Sequence, residues 1–296
     1  MEQKSTELKL TVPWGHIAAK TYGSSTGKFV LMVHGLMDNM GAFTRLLKYL
    51  PMDTHYYVCV DLPGHGYSSR FPSWMMVEFV TYIDTIYYIL EALQWKTCIF
   101  IGHSMGAQLG IFFSINRPHR IEKIIALDGL IPIVSTTDDD FIKSFKEKFM
   151  LLRQNQNANN LYTKEEALYA LKNLRFAALN SDAAEALFEH FVTKVDGKYK
   201  YTRDVRLRMT ITSLLSLEQS YSILRNLSVP LYVVVASSGA IDRFPQIFKT
   251  AIKSINPKSL SEIFYVRGNH DVHNNYPEKV APFICKILLN ENTSKL

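Results

Sequence analysis

The chain has 296 residues, 47% hydrophobic and 20% charged, with a net charge of +6; this is globular composition, with apolar mass for one large core or a core carrying an insertion. The positive excess is small and interspersed with acidic side chains, so no nucleic-acid module is indicated, and no apolar run approaches the ~18 residues of a membrane span. Cys59, Cys98 and Cys285 are far apart in apolar contexts, with no CxxC or Cys/His cluster, which fits reduced core thiols in an intracellular protein and gives no metal or cofactor motif.

The polar start, "MEQKSTELKL", lacks the apolar stretch of a signal peptide. Residues 8–23, "LKLTVPWGHIAAKTYG", alternate like two strands joined by a turn at Pro13 and Gly15. "FVLMVHG" (29–35) and "YYVCVDLPGHG" (56–66) begin as apolar runs and end in glycine, the form of buried strands. Helical spacing of apolar positions follows over 75–94. "TCIFIG" (97–102) is a third apolar run, and 107–116 reads as a helix stopped before Pro118. Three more strands are predicted in 121–132, 230–237 and 261–270, with helices over 246–256 and 278–289. Buried strands alternating with helices predict a mainly parallel α/β sheet.

Residues 133–226 break this alternation. They hold three helical patterns and the polar segment "DGKYKYTRD" (196–204), without a strong buried strand. The expected organisation is a core of residues 1–132 and 227–296, interrupted by a helical cap over 133–226. The densest basic stretch, Lys194–Arg208, is expected to be a solvated face.

Gly102-His103-Ser104-Met105-Gly106 matches G-x-S-x-G between a predicted strand and a predicted helix. That context makes a sharp turn which exposes the serine hydroxyl at the sheet's carboxyl edge. The N–H of Met105 would face a developing oxyanion, and the N–H of Leu36, in "VHGLMDN" (33–39), would supply the second donor. A base should come late in the chain, and His270 and His273 compete in "RGNHDVHNNYPE". His270 closes the last strand and is favoured. Two acids remain open: Asp128, at the end of 121–132, is placed slightly ahead of Asp242 in "ASSGAIDRFP". Asp61 and His65 are read as loop residues.

With these residues in place the chain resembles an α/β-hydrolase. More narrowly, it resembles the serine hydrolase-like proteins of animals, the group that includes the insect kraken proteins. The matching segments are "VPWGHIAAK", "HGLMDN" with "FTRLLKYLP", "DLPGHGYSS", "GHSMG", "LDGLIP", "ASSGAID" and "GNHDVH". The resemblance implies a helix-flanked sheet with a helical cap and a Ser104–His270–acid triad. On the acid it is divided. "LDGLIP" is similar to the acid-bearing stretch of fluoroacetate and haloalkane dehalogenases, and "AIDRFP" to the acid loop of most other capped hydrolases. Ser104 argues against the aspartate-nucleophile chemistries of haloalkane dehalogenases and epoxide hydrolases. Ala107 departs from the third glycine of many members.

The function expected is hydrolysis of a small-molecule acyl substrate, an ester or thioester, through an acyl-enzyme and without a metal or cofactor. The alternatives are a catalytically silent binding protein of the same fold and a carbon–carbon bond hydrolase. Ser294-Lys295-Leu296 match the tripeptide read by the peroxisomal import receptor, and the resemblance implies a peroxisomal location in at least some relatives, so a peroxisomal location is expected.

Overall fold

The computed structural model describes residues 4–151, 160–209 and 213–290; Ser294-Lys295-Leu296 lie outside them. The strands are β1 (Ser5–Val12), β2 (Gly15–Gly23), β3 (Lys28–Val33), β4 (His55–Val60), β5 (Cys98–His103), β6 (Ile121–Leu127), β7 (Val192–Val195), β8 (Lys198–Tyr201), β9 (Leu231–Ser238) and β10 (Leu260–Asn269). Eight of them form one sheet in the order β1-β2-β4-β3-β5-β6-β9-β10. β2 pairs antiparallel with both β1 and β4, and every pair from β4 to β10 is parallel. The fold is therefore an α/β-hydrolase fold, with a mainly parallel sheet flanked by helices.

The apolar runs form central strands because both faces of the sheet are covered. Leu31, Val33, Phe100, Ile124, Val233 and Val235 enter one apolar layer with helices Phe79–Ala92 and Met105–Asn116. Val30, Met32, Ile99, Ile101, Ile125 and Val234 enter the other, under helix Pro277–Leu289. The change of face at each residue is the strand period of two. Because the strands run parallel, the carboxyl ends of β3, β5, β6, β9 and β10 share one edge, where ligands bind in open α/β sheets.

The cap contains helices Asp138–Leu151, Lys164–Asn173 and Ser181–Phe191. Ala167, Leu171, Leu187 and Phe191 form an apolar cluster of its own that reaches Ala42 in the core. Helix Leu217–Arg225, within 133–226, sends Tyr221 and Leu224 into the layer that holds Phe248. Among the described residues, no helix is long and apolar enough to cross a membrane.

Two local expectations change. "DGKYKY" supplies the turn and second strand of the β7–β8 hairpin, turned at Asp196 and Gly197, whose φ values of 48° and 80° suit the type I′ turn that Asp-Gly favours. The cap is thus not wholly helical. Nor is Lys194–Arg208 only a solvated face. Arg206 is buried, paired with Asp204 at 2.7 Å, and donates to the carbonyls of Phe71, Pro72 and Met75. The helix expected over 75–94 runs over Phe79–Ala92, and the Met75 carbonyl before it accepts from the Arg206 guanidinium.

Arg206 thus ties the cap to the loop before that helix. Arg206→Leu leaves Asp204 buried and uncompensated and is expected to cost about 3–5 kcal/mol, measured by urea unfolding. A loss under about 1 kcal/mol, the scale of an exposed pair, would show that the tie is dispensable.

Candidate active site

β5 delivers Ser104 to the carboxyl edge, and the chain enters helix Met105–Asn116 at the next residue. Ser104 adopts φ 51° and ψ −119°, a conformation strained for any residue with a side chain. Its N–H donates to the Leu127 carbonyl at 2.9 Å, which fastens the turn to β6. The flanking glycines are steric requirements. A Cβ at Gly106 would stand 2.0 Å from the Val33 carbonyl oxygen, and one at Gly102 would stand 2.4 Å from the Ala107 nitrogen. Helix and strands approach more closely than a methyl group allows.

Asp128 follows β6 directly and is buried. Its Oδ1 accepts from the Ala236 N–H at 3.0 Å, and its Oδ2 accepts from the Ala240 N–H at 2.9 Å and from His270 Nδ1 at 2.6 Å. Of the two acids left open by the sequence, Asp128 is the one bonded to His270. Asp242 is exposed in the short turn Ala240–Arg243, whose first residue supplies one of the Asp128 donors.

His270 lies at the end of β10. With Nδ1 bound to Asp128, Nε2 is its free ring nitrogen. Burial pushes the imidazole pKa down, but the Asp128 hydrogen bond and charge, joined by the charges of Asp271 and Asp38, outweigh it and raise the pKa. His273, the rival base, is buried against His103 and Phe43, with ring centroids 4.1 and 5.7 Å away. Its ring nitrogens have no hydrogen-bond partner among the described residues, and burial holds it neutral.

Ser104, His270, Leu36 and Met105 line one cavity of about 800 Å³. Met105 opens its helix, so its N–H has no intrahelical acceptor. Leu36 sits in the loop after β3. There Met37 donates its N–H to His65 Nε2, and Met40 donates to Asp61 Oδ1. Asp61 also accepts from Tyr67 N–H and from His190 of the cap. Asp61 and His65 therefore shape the loop that carries Leu36. The remaining wall is mostly apolar: Ile131 and Phe248 from the core, Leu174 and Phe176 from the cap.

A buried polar network that the sequence did not reveal lies beside the serine. Asp38, His103 and Asp271 place ligand atoms within 4.8 Å of one another. The donor set could hold a cation by distance, but Arg175 of the cap already provides the positive charge, reaching Asp38 at 2.9 Å and Asp271 at 3.3 Å. His103 donates Nε2–H to the His270 carbonyl at 3.0 Å, and burial pushes its pKa down to about 3. Asp38 and Asp271 lie within motifs read from the sequence, whereas Arg175 lies far away in the cap with no local signal.

A family model described as the α/β-hydrolase fold matches residues 28–242. A serine hydrolase-like protein of Danio rerio is 31% identical over 294 residues, covering 97% of this chain and 90% of that protein. Human serine hydrolase-like protein 2 is 31% identical over 296 residues, covering 96% and 94%. Among solved structures, a thioesterase domain from the curacin biosynthetic pathway superposes with a TM-score of 0.82 at 19% identity, over 97% of this chain and 99% of that one. At that identity the likeness concerns the fold.

Proposed function

The chain belongs to the α/β-hydrolase family, among the serine hydrolase-like proteins, and on that premise we propose that it hydrolyses a carboxylic ester or thioester with an apolar acyl group, using Ser104, His270 and Asp128. One observation carries the reading: a buried 2.6 Å Asp128–His270 hydrogen bond opens onto the same apolar cavity as a backbone-strained serine. The thioesterase domain among its structural neighbours is compatible with it.

In this mechanism His270 Nε2 takes the Ser104 proton as Oγ attacks the acyl carbonyl. Asp128 fixes the tautomer and stabilises the imidazolium. The N–H groups of Leu36 and Met105 hold the oxyanion, each worth about 3 kcal/mol in the barrier. Collapse expels the alcohol or thiol, which takes its proton from His270. A water molecule, deprotonated by the same nitrogen, then releases the acid and restores Ser104. The apolar wall favours the acyl chain by burying it, at about 0.8 kcal/mol per methylene.

We extend the proposal to a peroxisomal address in Ser294-Lys295-Leu296, read by an import receptor. An amino-terminally fluorescent fusion should be punctate and should become diffuse when the tripeptide is removed; an unchanged distribution would contradict the address.

Turnover is tested with p-nitrophenyl esters of increasing acyl length. Ser104→Ala should lower kcat by at least about 10³-fold. The imidazolium cannot accept a proton, so kcat/KM should fall as pH drops through the raised His270 pKa, above the ordinary value of about 6.5. Asp128→Asn removes the partner that raises it and should move this limb to lower pH while cutting kcat by about 10²–10⁴. No turnover of any ester by folded protein would contradict the hydrolase reading and favour a binding protein.

A further inference from the structure

Two consecutive cap residues reach into the core beside the serine. Arg175 Nη1 donates to Asp38 Oδ1 at 2.9 Å, and Nη2 lies 3.3 and 3.4 Å from the two oxygens of Asp271. Phe176 sets its ring edge-on to the His270 ring at 5.0 Å and lies 4.1 Å from the Arg243 guanidinium. The places these contacts reach are particular. Asp38 is two residues beyond Leu36, on the loop after β3. Asp271 directly follows His270. One cap dipeptide therefore touches both the loop that would hold the oxyanion and the loop that carries the base.

The chemistry makes this more than a packing contact. Asp38 and Asp271 are each 2% exposed at the side chain, against 16% for Arg175. Two buried carboxylates on different loops repel one another, and Arg175 is the only Lys or Arg paired with either among the described residues. A guanidinium is a planar fork that can grip two carboxylates at once, which an ammonium cannot reproduce. Asp38 also faces His103 Nδ1 at 3.8 Å, and the other nitrogen of that ring is bonded to the His270 carbonyl.

We propose that Arg175 is a positioning residue: by bridging Asp38 and Asp271 it sets the Leu36 loop and the His270 loop relative to each other, so that seating the cap and assembling the reactive geometry are one event. The inference rests on the hydrolase reading for its catalytic consequence and on the bridge itself for its structural one. A displacement of about 1 Å in such a constellation can cost about 10²-fold in rate.

The test compares wild type, Arg175→Lys, Arg175→Met and the triple variant Arg175→Met/Asp38→Asn/Asp271→Asn, which removes both orphaned charges. Four readouts are taken: kcat and KM on a short p-nitrophenyl ester, the acid limb of the pH profile, melting temperature, and hydrogen exchange over residues 33–41 and 268–276. Both single variants should lose about 10–100-fold in kcat with KM within about threefold, the mark of an interaction needed in the transition state. Exchange should quicken in both core loops although the substitution is in the cap.

The groups facing His270 are Asp128, Asp38 and Asp271, the neutral His103 and His273, and Arg175 through its carboxylates. Arg243 lies on the far side of the Phe176 ring and is unchanged in these variants, so losing Arg175 leaves more negative charge near the imidazole. The limb of Arg175→Met should therefore move to higher pH, opposite to that of Asp128→Asn. The triple variant should regain melting temperature but not kcat. Recovery of kcat in the triple variant would overturn the proposal, since Arg175 would then only neutralise charge. So would a single variant that loses melting temperature alone. If wild type turns over no ester, the hydrolase reading fails and exchange decides the bridge: faster exchange in both core loops of Arg175→Met supports it, and unchanged protection overturns it.

Discussion

The Asp128–His270 hydrogen bond depends on the strand order of the sheet, and the candidate site depends on that bond. β6, β9 and β10 are consecutive neighbours, so an acid at the end of β6 and a histidine at the end of β10 meet across the end of β9. β9 supplies the rest of the acid's environment: the N–H of Ala236, within the strand, and that of Ala240, just after it, both donate to Asp128. The buried Asp128 carboxylate accepts these two hydrogen bonds and a third from His270, and its bond and charge orient the imidazole and raise its affinity for a proton.

Much of this was legible in the sequence because it is local. Strands buried on both faces appear as apolar runs, and the elbow appears as a serine with a glycine two residues to either side. The reasons lie in the Val33 carbonyl and the Ala107 backbone, which leave no room for a Cβ. The choice between Asp128 and Asp242 was not legible, because each follows a strand that ends at the right edge. The two backbone N–H groups that favour Asp128 belong to alanines, which carry no chemical signature. Arg206 misled for a related reason: its three acceptor carbonyls come from residues about 130 positions earlier. The β7–β8 hairpin, by contrast, had a readable signal in Asp196-Gly197 between Val-Thr-Lys-Val and Lys-Tyr-Lys-Tyr.

The cap contributes on two scales. Its apolar side chains close an otherwise open sheet edge into a cavity of about 800 Å³, large enough for an extended acyl group. Its polar contacts with the core are many, and three of them involve buried core groups or loops: His190 on Asp61, Arg206 on the 71–75 loop, and Arg175 on Asp38 and Asp271. The Asp61 and Asp38 contacts fall on or beside the loop that carries Leu36. The geometry of the cap and that of the Leu36 loop are in this way parts of one polar structure.

The most direct test of the central claim is covalent labelling of the serine. Folded wild type, Ser104→Ala, Asp128→Asn and Asp242→Asn are treated with a small fluorophosphonate, and intact mass is followed over time. The account predicts a single adduct that maps to Ser104 and is absent from Ser104→Ala, with labelling slowed strongly in Asp128→Asn and near the wild-type rate in Asp242→Asn. An adduct elsewhere, or slowing in Asp242→Asn rather than Asp128→Asn, would contradict it.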